Sequence, residues 1–213
     1  MYVRKHHEES DVSVLQALVK GHPLGTWVTY GDGELIANHI PFLLDATRGK
    51  YGTLVGHVAR ANRVWQSHST TVNSVVAFQG AEAYITPSWY PSKHAHGKAV
   101  PTWNYAVVHA HGLPRYIEDH VWLLAHLSQL TDVHEAEHAL PWKVSDAPPD
   151  FVERLLQVIV GVEIPIEKLI GKWKVSQNRP EPDKLGVVAG LLTRADERSR
   201  AMAGLVNQHV SPD

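Results

Sequence analysis

Short segments of alternating apolar and polar residues follow one another through the first half of the chain, and most have no helix between them. Residues 24–30 are rich in β-formers, Gly31-Asp32-Gly33 is a hairpin turn, and residues 34–44 read as the returning strand, with Pro41 marking an edge or a bulge. Residues 51–58, 72–78 and 81–86 are further strands, with Gln79-Gly80 a tight link between the last two, and residues 100–117 add one long strand or two short ones. A doubly wound parallel sheet needs a crossover helix after nearly every strand, so this spacing favours an antiparallel barrel. Ahead of it, Ser10 or Asp11 caps a short helix with Val12, Leu15, Leu18 and Val19 on one face, ended by Gly21 and Pro23. The second half reads as more helical, with helices at 119–130 and 149–160, a late strand at 164–176, and C-terminal helices at 183–192 and 194–206. The expected architecture is mainly β with α elaboration, an α+β single domain over 1–213: barrel over 1–118, helical elaboration with a late strand over 119–213.

At 213 residues, 44% of them hydrophobic, the chain can bury one substantial core. It has no cysteine, which removes disulfides, thiolate metal sites and a catalytic thiol. A formal net charge of -2 gives no global attraction to nucleic acid, so any DNA contact would need a local patch. Residues 1–9 lack the apolar core of a signal peptide, and no apolar run approaches the roughly 20 residues of a membrane span; the expected location is the cytoplasm.

Three constellations carry candidate chemistry. Gly56-His57-Val58-Ala59-Arg60-Ala61-Asn62 ends a strand and opens a predicted helix reaching His68. An Arg at a helix N-terminus opposes the helix dipole unless an anion sits there, and Arg60 with free backbone N–H groups, Asn62 as a cap and His57 nearby would suit a phosphate. Pairing of Arg60 with a surface carboxylate explains the same spacing equally well. The second, Lys172-Trp173-Lys174-Val175-Ser176-Gln177-Asn178-Arg179, alternates Lys172, Lys174 and Ser176 with Trp173 and Val175, and contains no acid. Lysines that protect an edge strand account for the charge; the dense donor run from Ser176 to Arg179 points instead to a phosphorylated ligand. The third pairs Tyr84-Ile85-Thr86-Pro87-Ser88-Trp89-Tyr90-Pro91 with Val100-Pro101-Thr102-Trp103-Asn104-Tyr105 across a basic loop, and suits either core packing or a flat heteroaromatic ring.

His134-Glu135-Ala136-Glu137-His138 spells the H-E-x-x-H pattern of zinc hydrolases, which requires both His on one long helix. Pro141 follows too closely for that, so no metal site is expected. No P-loop, Gly-rich dinucleotide turn or nucleophile elbow is present.

Taken in order, the Gly56–Asn62, Pro87–Tyr90, Val100–Tyr105 and Lys174–Arg179 motifs resemble the PaiB family of FMN-binding negative transcriptional regulators, from about Tyr2 to Leu192. The resemblance implies a split β-barrel related to pyridoxamine-phosphate oxidases and flavin reductases, and a homodimer with FMN at the subunit interface. It implies that His57, Arg60 and Asn62 lie near the phosphate or ribityl chain. It also implies that Lys174, Ser176, Gln177, Asn178 and Arg179 complete the cradle, and that Trp103, Asn104 and Tyr105 border the ring. A regulator with a DNA or protein partner is the expected function; the alternative is a flavin-dependent oxidoreductase, because a flavin brings its own chemistry.

Overall fold

Asp11 starts the first long helix by accepting a hydrogen bond from the Ser13 backbone N–H at 2.8 Å, and Leu15, Leu18 and Val19 then form its buried stripe. The computed structural model describes residues 1–211. In chain order the elements are β1 (Glu8–Glu9), α1 (Val12–Gly21), β2 (Leu24–Gly31), β3 (Glu34–Pro41), β4 (Leu43–Asp45), β5 (Thr53–Ala59) and α2 (Val64–Ser67). There follow β6 (Ser74–Ile85), α3 (Pro91–His96), β7 (Thr102–Gly112), β8 (Arg115–Ile117), α4 (His120–Glu135) and α5 (Pro149–Leu156). The chain closes with β9 (Ile159–Pro165), β10 (Lys168–Lys174), α6 (Glu181–Leu192) and α7 (Glu197–Asn207). One sheet has the order β1-β10-β7-β6-β2-β3 and the other β4-β5-β9-β8, and every pair with a defined register is antiparallel.

The chain divides into two compact units that interleave in sequence. One comprises Met1–His22, Phe78–His109 and the stretch from Ile170 onward; the other comprises Pro23–Ala77 and Ala110–Leu169. In the first, Leu15 and Leu18 of α1 lie over Gly171 and Gly80, while α6 and α7 bury Val187, Leu191, Met202 and Val206. In the second, the β2–β3 hairpin turns at Asp32 and Gly33, with φ of 50° and 86°, and α4 sets Trp122 over Gly161 of β9.

Several expected boundaries move. The link at Gln79-Gly80 does not exist: β6 is one continuous strand, with its buried parity slipping from Ser74, Val76 and Phe78 to Ala83 and Ile85. Gly80 is small because α1 passes over it, not because the chain turns; a Cβ there would stand 3.0 Å from Leu18 Cδ1. The returning strand breaks at Phe42 into β3 and β4, which lie in different sheets. The helix foreseen over 149–160 stops at Leu156, and 159–165 is β9, buried through most of its length. α4 runs on to Glu135, and the last helix begins at Glu197, capped by Asp196. β10 is flanked by β7 on one side, and on the other β1 pairs with Gly171 and Lys172, so Lys172 does not protect a bare edge, whereas Lys174 lies beyond that two-residue ladder.

Candidate cofactor site

In the first unit, β7 alternates: Asn104 is 1% exposed and Trp103 49%. Trp103 and Tyr105 therefore share one face of the sheet, and β10 places Lys172 and Lys174 out of register with buried Trp173 in the same way. The Lys172 ammonium lies 5.2 Å from the Tyr105 ring centroid. Tyr84 meets Trp103 edge-on at 6.0 Å, and the Trp103 indole N–H donates to Glu82. Lys174 Nζ donates to the Thr102 hydroxyl and, at 2.6 Å, to the Trp103 carbonyl.

The run after β10 is held by its own side chains. Gln177 accepts from Val175 N at 2.8 Å and donates back to the Trp173 carbonyl, which bends the chain into a turn. At the next position Ser176 takes φ = 64°, a left-handed conformation uncommon outside glycine. Its buried hydroxyl accepts from Asn104 Nδ2 at 2.9 Å, so Asn104 points inward to secure this turn. Asn178 is exposed at the tip, and the Arg179 guanidinium lies 4.7 Å over the ring of buried Tyr90.

Charge at this face is unbalanced. Among the described residues none of the ion pairs uses Lys172, Lys174 or Arg179, although Glu8 stands across from Lys172 in the β1–β10 register. Burial, reinforced by Lys172 and Arg179, holds the Lys174 amine below its ordinary value. His7, 6% exposed, is pushed down by burial and by His6, with smaller contributions from Lys174 and Lys172, against an opposing hydrogen bond from Gln177. Mutually repelling cations in none of these ion pairs, next to exposed aromatic rings and with Glu82 held on the Trp103 indole, are a donor set suited to a phosphate on an aromatic molecule.

The second unit holds His57, Arg60 and Asn62. Arg60 does not open a helix: α2 has four residues and starts at Val64. Its guanidinium is instead spent within the unit, on Glu118 Oε2 at 2.5 Å, the Gln157 carbonyl at 2.8 Å and the Ile159 carbonyl at 3.3 Å. Asn62 accepts from Val64 N at 3.1 Å and donates to Asn38 Oδ1 at 2.7 Å, tying the turn to β3. His57 Nδ1 lies 3.1 Å from His126 Nε2, and the Trp122 ring stacks on His126 at 5.4 Å. Burial and the neighbouring His57 push His126 down to about 4, and burial lowers His57 as well. Residues 134–138 do not form a helical ligand pair, because α4 ends at Glu135, and Glu135 accepts from Trp142 N at 3.0 Å.

The eleven residues singled out from sequence thus fall into two clusters, one in each unit. Sequence reasoning missed His7, Glu82 and His126. Glu82 was within reach, since it shares the outward parity of Tyr84, but nothing local marks the other two.

The strand order and the solved structures define the class by fold: an α+β split β-barrel. The FAD- and haem-binding protein from Mycobacterium smegmatis superimposes with a TM-score of 0.57 at 14% identity, covering 79% of this chain and 73% of that one. Within that class, the chain belongs to the family described as "Putative FMN-binding domain", which matches residues 1–168, and is an FMN-binding protein of the PaiB type. The protease synthase and sporulation protein PAI 2 of Bacillus subtilis is 31% identical over 99% of this chain and 98% of its own length. An uncharacterised protein of Emericella nidulans is 32% identical over 98% of this chain and 97% of its own. The family match ends as β10 begins, so it does not reach Lys172–Arg179.

Proposed function

We propose that the chain is a PaiB-type negative regulator whose FMN is held, at the interface of a cytoplasmic homodimer, by the face built from β7, β10 and the turn after it. Lys172, Lys174 and Arg179 hold the phosphate, with the exposed amide of Asn178 beside them. Trp103 and Tyr105 border the ring, while Asn104, Ser176 and Gln177 fix the turn from behind. His57 and Asn62 keep the place near the phosphate or ribityl chain that the family resemblance gives them. Arg60 serves there by bracing its turn, since its donors are engaged. Bound FMN supplies reversible electron transfer, and the protein's part is binding, orientation and electrostatics. No helix among the described residues is long and apolar enough to cross a membrane.

The observation that carries this reading is the like-charge cluster of Lys172, Lys174 and Arg179, which enter no ion pair among the described residues. Titration of cofactor-free protein with FMN and with riboflavin, which lacks the phosphate, tests it by flavin fluorescence. FMN is expected to bind more tightly, and Lys174→Ala or Arg179→Ala to weaken FMN alone by roughly tenfold, the loss of about one charge-assisted hydrogen bond. Equal affinity for the two flavins would remove the phosphate from this face.

A further inference from the structure

The segment between β8 and β9 uses only part of its apolar surface to attach itself to the second unit. α4 turns Leu123 and His126 inward, yet Leu124 is 41% exposed. α5 buries Leu156 and leaves Phe151 and Leu155 open. Between the two helices and the short 3₁₀ turn Val144–Asp146 runs a groove of about 450 Å³, with Leu124, Val144, Pro149, Val152 and Leu156 along its apolar floor. Ser128, which also lines it, donates its hydroxyl to the Leu124 carbonyl at 2.8 Å and so presents no unmet donor.

The segment that forms the groove is acidic in balance. Residues 119–156 carry seven carboxylates against two cations, Lys143 and Arg154. Arg154 is already paired with Asp150 at 2.7 Å, and Glu153, which lines the groove itself, lies 2.9 Å from His120 Nδ1. A long apolar floor between two helices is the shape that receives the apolar face of a third helix. An acidic surround selects one whose flanks carry Lys and Arg, and it repels nucleic acid and anionic lipid alike.

We propose that this groove is a docking site for a basic amphipathic helix of a protein partner, with the helix's apolar residues seated between α4 and α5. The groove shares no lining residue with the proposed cofactor face and needs no flavin. It gives a regulator of slightly acidic net charge a way to act through protein contact.

The test uses the full chain and three fluorescein-labelled peptides of equal length: an amphipathic Leu/Lys helix, its scrambled form without an apolar face, and a Leu/Glu form with the charge reversed. Fluorescence anisotropy should show the Leu/Lys peptide binding at least about tenfold more tightly than either control, with affinity falling as salt rises. Val152→Asp, on the floor, should weaken it by a further order of magnitude, while Asp150→Asn with Glu153→Gln should flatten the salt dependence. Circular dichroism of each variant confirms that it folds. Absence of binding overturns the proposal, as does equal binding of the three peptides or indifference to Val152→Asp. So does a switch of that variant from dimer to monomer in sedimentation, which would assign the groove to a second copy of the chain. Peptide binding that is unchanged in Lys174→Ala, whether FMN is added or withheld, supports the site's independence, whereas its loss in that variant counts against it.

Discussion

His126 shows how a single side chain can set the acid limit of this protein. It is 3% exposed, stacked under Trp122 and joined to His57, and its folded value of about 4 lies below the ordinary 6.5. The unfolded chain therefore binds the proton more readily, so the stabilisation is complete above pH 6.5, declines as the pH falls and is gone below about 4. The span corresponds to something on the order of 3 kcal/mol. His126→Gln is expected to remove that share of the acid sensitivity, so urea midpoints measured between pH 7 and pH 4 should converge less steeply than in the wild type. At the proposed cofactor face, the same physics gives His7 a different consequence. Lys172 and Lys174 help keep it neutral, and a bound phosphate offsets their charge, so its proton affinity should rise on binding. FMN affinity is accordingly predicted to increase as the pH drops below 6.5, and His7→Gln to flatten that slope.

At the scale of elements, the attachment of α4 depends on the missing side chain of Gly161. A Cβ there would stand 2.3 Å from Trp122 Cζ3, an overlap that only a shift of the helix or of the indole relieves. Gly161→Ala should destabilise the protein by about 2 kcal/mol, read from chemical denaturation, and Trp122→Leu in the same chain should recover part of the loss. Legibility at this scale followed locality. α1 and the β2–β3 hairpin were readable because the Asp11 cap, the apolar spacing and the Asp32-Gly33 turn all lie within a few residues of one another. The α5–β9 boundary was not, because Leu155 to Val160 is a nearly continuous apolar run; only the pairing of Ile159 with Ala59 and the continuing β5–β9 ladder make its second half a strand. Gly80 misled for a related reason: a glycine needed for close approach looks, in sequence, like one needed for a turn.

For the whole molecule, the proposed homodimer makes cofactor retention depend on protein concentration, since a site at a subunit interface is dismantled on dissociation. Sedimentation should give twice the 23.7 kDa chain mass, and dilution below the dimer dissociation constant should release flavin in step with the appearance of monomer. A chain that stays monomeric while holding FMN tightly would remove the interface from the reading. The sequence alone determined the antiparallel character of the barrel, the absence of thiol chemistry and the run of donors from Lys172 to Arg179, because each follows from residue type and short-range periodicity. Only the tertiary structure decided what those donors face. Arg60, equally basic in the sequence, is neutralised by Glu118, 58 positions away, and by carbonyls still more distant in the chain. Lys174, on Thr102 and the Trp103 carbonyl, and Arg179, over the Tyr90 ring, enter none of the ion pairs among the described residues. Which cation is free for a phosphate is a matter of long-range pairing, and the charge of a residue carries no record of the partner that folding brings to it.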